Sequence, residues 1–239
     1  MQIVKGPERR GRGRPPGRTK QGEETRQRLY RVAIERITRM GYASTTMRDV
    51  ASAAGVSPGL LYRYFPSKRA VLLALYDELS AEYAEHATAM PSGRWRDRSL
   101  FALRASLAVL GPHREALSAL VPVLVGDREE GIFAGRTSFS RLRVQRVFAD
   151  AVRGSSDAPA PDLGEPLGRL LYLLHLAVLL WWLLDKSPRQ HATSALVSLV
   201  EKAAPLAAVA LRLPQVRSIV RTGDALFREA LLHDSPAES

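Results

Sequence analysis

Apolar residues recur along this chain at three- and four-residue spacing, and no stretch alternates, so the pattern predicts amphipathic helices and no strands. Leu29, Ala33, Ile37 and Met40 mark one buried face of a helix over 25–40, which Gly41 ends. Met47, Val50, Ala51 and Ala54 share a face of a short second helix, for which Thr46 offers its side-chain oxygen as N-cap. Gly55 stands where a helix end favours a left-handed residue, Val56 is an apolar plug, and Ser57 followed by Pro58 has the form of a new helix start. In this third helix Leu61 faces inward, which leaves Gly59, Leu60, Tyr62, Arg63 and Tyr64 along an outer rim. A rim of small, aromatic and cationic groups suits a nucleic-acid groove, although a plain helical hairpin of a bundle has the same spacing.

Further along, Val71, Leu72, Leu75, Tyr76, Leu79 and Tyr83 form the stripe of a connecting helix over 67–88, and Pro91-Ser92-Gly93 closes it. Helices are then expected over 95–110, 112–125, 137–152, 165–185, 189–211 and 215–232, with loose connections at 126–135 and 154–164. The segment 167–184 is apolar nearly all round, so it belongs to a core, a subunit interface or a membrane. Its uninterrupted apolar run of about 15 residues falls short of the ~20 that a spanning helix needs. The next helix carries Ala195, Leu196, Leu199, Val200, Ala203 and Leu206 on its apolar side, small residues among them that permit close helix approach.

Charge sharpens the picture. The formal net charge of +11 sits wholly in residues 1–70, which hold 16 Lys/Arg against 5 Asp/Glu, while the remainder is balanced. A basic end on a neutral body is the footprint of a polyanion binder, because neutralised phosphates release counterions. Residues 1–20, rich in Arg, Gly and Pro, are expected to form a disordered basic arm. Within it Arg12-Gly13-Arg14-Pro15 resembles the core of an AT-hook, which would put Arg12 and Arg14 in a minor groove; a merely solvated arm is the alternative. No cysteine is present, which excludes disulfides and thiolate chemistry, and no apolar signal core opens the chain, so the expected location is the cytoplasm. His86, His113, His175, His191 and His233 lack metal-ligand spacing, and neither a nucleophile elbow nor a phosphate-cradling loop appears. No metal, no cofactor and no enzymatic activity are expected.

The order of parts over 25–83, above all Leu61-Tyr62-Arg63-Tyr64-Phe65-Pro66-Ser67-Lys68, resembles the TetR family of transcriptional regulators. The resemblance implies an all-α chain: a helix-turn-helix DNA-binding domain over 21–70 and a helical ligand-binding and dimerisation domain over 71–239. It further implies a homodimer, more often a repressor, that binds a double-stranded DNA operator with inverted half-sites. Ser57, Pro58 and Gly59 would lie near bases, and Thr45, Thr46, Tyr62, Tyr64 and Lys68 would hold phosphates. Leu60 departs from the threonine of many relatives, so a thymine methyl contact replaces a hydroxyl one, with Arg63 adding a cation; Arg69-Ala70 likewise replaces a frequent glutamate. The last pair of long helices would form the dimer's four-helix bundle, with Leu176, Leu180, Ala195, Leu199 and Ala203 at the interface. A small apolar ligand would occupy the body, with Phe101, Phe133, Phe148, Tyr172, His175 and Trp181 as candidate lining. His175 has two readings, a hydrogen-bonded core histidine or a group that orients a ligand. The competing reading of the chain is a membrane-associated helical protein that uses 167–184 and the basic arm.

Overall fold

The computed structural model describes residues 20–129 and 131–232, and within them every regular element is helical. Arg12, Arg14 and the rest of the arm lie outside the described residues.

The first helix, α1 (Lys20–Met40), begins five residues before the expected start and buries Leu29, Tyr30, Ala33 and Ile37. Met40, expected on that face, is 53% exposed, because α1 ends there and Gly41 turns the chain with φ +84°. The next two helices are α2 (Met47–Ala53) and α3 (Pro58–Tyr64), which pack on each other and close a core with α1 through Val50, Ala51 and Leu61. Between them the Gly55 N–H bonds to the Ser52 carbonyl at 3.1 Å and the Val56 N–H to the Ala51 carbonyl at 3.0 Å. These paired bonds form a Schellman motif, and Gly55 takes the left-handed φ of +64° that it requires.

The connecting helix α4 (Lys68–Ala87) is capped by Ser67, whose Oγ accepts the Ala70 N–H at 3.1 Å. It belongs to both halves of the molecule. Val71, Leu72, Leu75 and Leu79 join the core of α1–α3, while Tyr83 and Ala87 join a second core in the body. The body continues with α5 (Trp95–Leu110), α6 (Arg114–Gly126), α7 (Ser138–Arg153), α8 (Pro161–Leu184), α9 (His191–Ala210) and α10 (Pro214–Phe227). A final turn of π-helix covers Arg228–Leu232.

Helix α8 is the axis of the body. It lies so close to α7 that a Cβ on Gly168 would come within 3.0 Å of Ala149 Cα. Its C-terminal carbonyls are gathered by Arg114 of α6, which donates to Trp182 and Asp185 oxygens at 3.0 and 2.7 Å and so places a cation at the negative end of the helix. Arg169 forms a two-pronged ion pair with the buried Asp224 of α10, at 2.5 and 2.8 Å. Asp185 then starts α9, accepting hydrogen bonds from the Thr193 hydroxyl at 2.6 Å and the Thr193 N–H at 2.9 Å. The Thr193 hydroxyl first, and then the bonds from Ser187, hold its carboxyl well below the ordinary range.

Two features of α8 and α9 depart from expectation. At 24 residues α8 is longer than its uninterrupted apolar run suggested; it, the α5–α6 stretch and the α9 stretch are each long and apolar enough to cross a membrane by length and composition alone. The outward stripe of α8 is Leu174, Ala177, Trp181 and Leu184, not Leu176, which turns toward the body's own interior. Leu180 is partly buried. On α9 only Thr193 and Val197 are buried, and Leu199, Leu206 and Val209 are more than 60% exposed beside the open Ala195 and Ala203.

Candidate DNA interface and internal cavity

At the head, local chemistry fixes the helix starts. Thr46 caps α2: its Oγ1 accepts the Asp49 N–H at 3.2 Å and donates to Asp49 Oδ2 at 2.6 Å, while Oδ2 accepts the Thr46 N–H at 2.9 Å. This reciprocal box lowers the Asp49 carboxyl pKa, the Thr46 hydroxyl being the main cause. Thr46 stands out in the sequence as the cap, and the Thr-x-x-Asp spacing also marks Asp49 as its reciprocal partner, a signal beyond the cap alone. Ser57 caps α3 by accepting the Leu60 N–H at 3.3 Å.

These bonds determine what each expected contact residue has to offer. Ser57, Pro58, Gly59, Tyr62 and Arg63 are exposed on one rim, with Leu60 half-buried beside them; a Cβ at Gly59 would meet nothing within 4 Å. Tyr64 is half-buried against the head core. Thr45 is only 2% exposed and its hydroxyl donates to the Gly41 carbonyl at 2.9 Å. With the Thr46 hydroxyl given to Asp49, neither threonine retains a side-chain proton for a phosphate in this structure. Lys68 donates to the Tyr42 and Thr45 carbonyls at 2.5 and 3.0 Å and lies 4.2 Å over the Tyr42 ring. Two of the three ammonium protons thus hold the α1–α2 loop, and one remains. Arg48, exposed at the start of α2, adds a cation that the sequence reading passed over.

Between α4, α5, α6, α7 and α8 the body has a partly open cavity of about 150 Å³. Tyr172 and His175 line it, together with Tyr83, Leu179, Trp182 and Arg141. The other expected lining residues are placed elsewhere. Trp181 is 50% exposed on the outer face of α8, and its neighbour Trp182 takes the inward position. Phe133 packs edge-on against Phe227, with centroids 6.1 Å apart. Phe148 borders a second cavity between α5, α8 and α9, and Phe101 is half-buried and borders neither of these two cavities.

His175 is a hydrogen-bonded core histidine that also borders both cavities. Its Nε2 is 2.8 Å from the Ser106 hydroxyl, and its ring lies parallel to that of Tyr83 and tilted against that of Phe148. Burial pushes its pKa down to about 3, so the ring is neutral at physiological pH. Three polar atoms around the first cavity have no hydrogen-bond partner: Tyr83 Oη, Arg141 Nε and His175 Nδ1.

Known proteins place this arrangement. Residues 29–75, spanning most of α1 through the start of α4, match the family described as bacterial regulatory proteins, tetR family. The chain is 37% identical over 51 residues to YerO, an uncharacterized HTH-type transcriptional regulator of Bacillus subtilis (strain 168), a match covering 21% of this chain and 18% of that one. It is 27% identical over 158 residues to the tetracycline repressor protein class C of Escherichia coli, covering 59% of this chain and 71% of that protein. The fold is shared with a tetR-family transcriptional regulator from Streptomyces coelicolor at a TM-score of 0.56 and 23% identity, over 91% of this chain and 92% of that one.

Proposed function

Since the chain belongs to the TetR family of bacterial regulatory proteins, we propose that it is a ligand-responsive transcriptional repressor that binds a palindromic operator as a homodimer in the cytoplasm. The observation that carries this reading is the shared packing of head and cavity. Leu117 and Leu124 of α6 and Trp182 of α8 line the cavity and also belong to the core that holds α1–α3 in place. A molecule that fills the cavity must press on residues that set the attitude of the head.

The DNA contacts follow from the exposed rim. Ser57, Pro58 and Gly59 at the N-terminus of α3 enter the major groove, Leu60 meets a thymine methyl, and Tyr62, Tyr64, Arg63, Arg48 and the remaining Lys68 proton hold phosphates. Arg12 and Arg14 of the arm read an adjacent A·T-rich minor groove. The open apolar stripes of α8 and α9 supply the dimer contact, since a contiguous exposed apolar surface of this kind marks an interface. Two heads on one two-fold axis then demand inverted half-sites about one helical turn, or a multiple of it, apart. A ligand releases DNA by favouring the conformation with mis-spaced heads, by no more than its differential affinity for the two states.

The test is selection of genomic fragments bound by the full chain, followed by footprinting. Inverted repeats protected on one face of the duplex support the reading. Recovery of no sequence above background refutes it, and retention of the chain on washed membranes would favour the membrane reading that three spanning-length apolar stretches keep in view.

A further inference from the structure

Within the cavity just described, one group is out of keeping with an apolar ligand. Arg141 on α7 is only 9% exposed, yet among the described residues no carboxylate pairs with it. Its Nη1 reaches the Ile132 and Ala134 carbonyls, both at 3.3 Å, and its Nε has no partner. A guanidinium cannot shed its proton, so burial without a counter-charge is strongly unfavourable unless something supplies one. The phenol of Tyr83, buried on the same cavity, likewise has an unpartnered Oη, and the Arg141 charge is felt at the Tyr172 phenol. Around these groups the wall is almost wholly apolar, formed by residues such as Leu179 and Trp182.

We infer that the cavity takes a small monocarboxylic acid, its carboxylate held by Arg141 and Tyr83 and its apolar body seated against Leu179 and Trp182. This rests on the reading of the cavity as the effector site and names the effector's class. A carboxylate offers about four lone-pair positions for donors of the guanidinium and the phenol, and it neutralises the buried cation. An alcohol or amide of the same shape could accept a hydrogen bond but leaves the charge in place. Size limits the body of the acid: a cavity of about 150 Å³ is of the order that holds one benzene ring. Benzoate and hexanoate therefore fit the class.

The test is calorimetric titration of the full chain with benzoate and hexanoate, each against its uncharged counterpart, benzyl alcohol and hexan-1-ol. The acids should bind at least tenfold more tightly. Arg141→Met should abolish that preference while leaving alcohol binding intact, and Arg141→Lys should keep part of it. Should Arg141→Met melt early, Tyr83→Phe serves instead, with a severalfold loss for the acids alone. Equal binding of acid and alcohol, no binding of either acid, or a preference for acid that survives Arg141→Met each overturns the inference. Acid binding that leaves protein–DNA complexes intact would instead overturn the sensing role and leave the acid site standing.

Discussion

Replacing Lys68 by Met keeps the aliphatic stem and deletes every donor, which separates two roles that the structure combines. Two charge-assisted hydrogen bonds, to the Tyr42 and Thr45 carbonyls, would be lost. Such bonds are worth about 1.5–3 kcal/mol each when buried, and Lys68 is only half-buried, so about 2 kcal/mol for the pair is the appropriate scale. Loss of the ammonium over the Tyr42 ring adds roughly 0.5–1 kcal/mol. A urea melt should therefore show Lys68→Met destabilised by about 2–3 kcal/mol. If the third proton also meets a phosphate, the plot of log affinity against log salt on a selected fragment flattens by about 0.9 per head, hence about 2 for a two-headed complex. Lost stability with an unchanged slope makes Lys68 a loop anchor only. Unchanged stability refutes the energetic reasoning itself.

Other perturbations reach other parts of the molecule. Gly55→Ala places a Cβ in open space but at φ +64°, so backbone strain alone should cost about 1–2 kcal/mol in a denaturant melt, with Gly55→Asn recovering part of it. Leu206→Asp, on the open face of α9, should yield monomers by sedimentation and lose tight operator binding together; a monomer with undiminished affinity refutes the dimer. His175 is held neutral in the fold down to about pH 3, whereas the unfolded chain takes up a proton near pH 6.5. Its contribution is thus intact above about pH 6.5 and falls as pH drops below it, by up to about 1.4 kcal/mol per pH unit. His175→Gln should flatten stability-versus-pH between about pH 6 and 4, and an unaltered profile would show that the ring does not titrate as its burial implies.

Much of the head was legible because its signals are local. Thr46, Gly55, Ser57 and Pro58 act on backbone groups a few residues away, and those are the distances over which spacing carries information. Lys68 was not legible in the same way, since its partners lie 23 and 26 residues upstream. In α8 the difficulty was phase. A helix apolar on all sides has no preferred direction in its pattern, so Trp181 and Trp182, about 100° apart around the axis, could not be told apart until α4 to α7 were packed against one of them. For Arg141 the pattern pointed the wrong way, because an arginine on a mixed helix reads as solvated. Only its packing over the α6–α7 connection shows a buried cation.

The core that runs from α1 through α6 to Trp182 bears on whether the head is separable. A fragment ending at residue 70 would contain all three helices of the DNA-reading unit yet leave behind Val71, Leu72, Leu75 and Leu79, as well as the three α6 leucines that close its floor. Each fully buried leucine contributes about 1.5–3 kcal/mol, an amount comparable to much of the net stability of a unit so small. The head is therefore a lodger and not a detachable module. Grafting it onto a foreign body would require carrying α4 and a substitute for the α6 surface, and any body exchanged beneath it would have to reproduce that surface to hold the head in place.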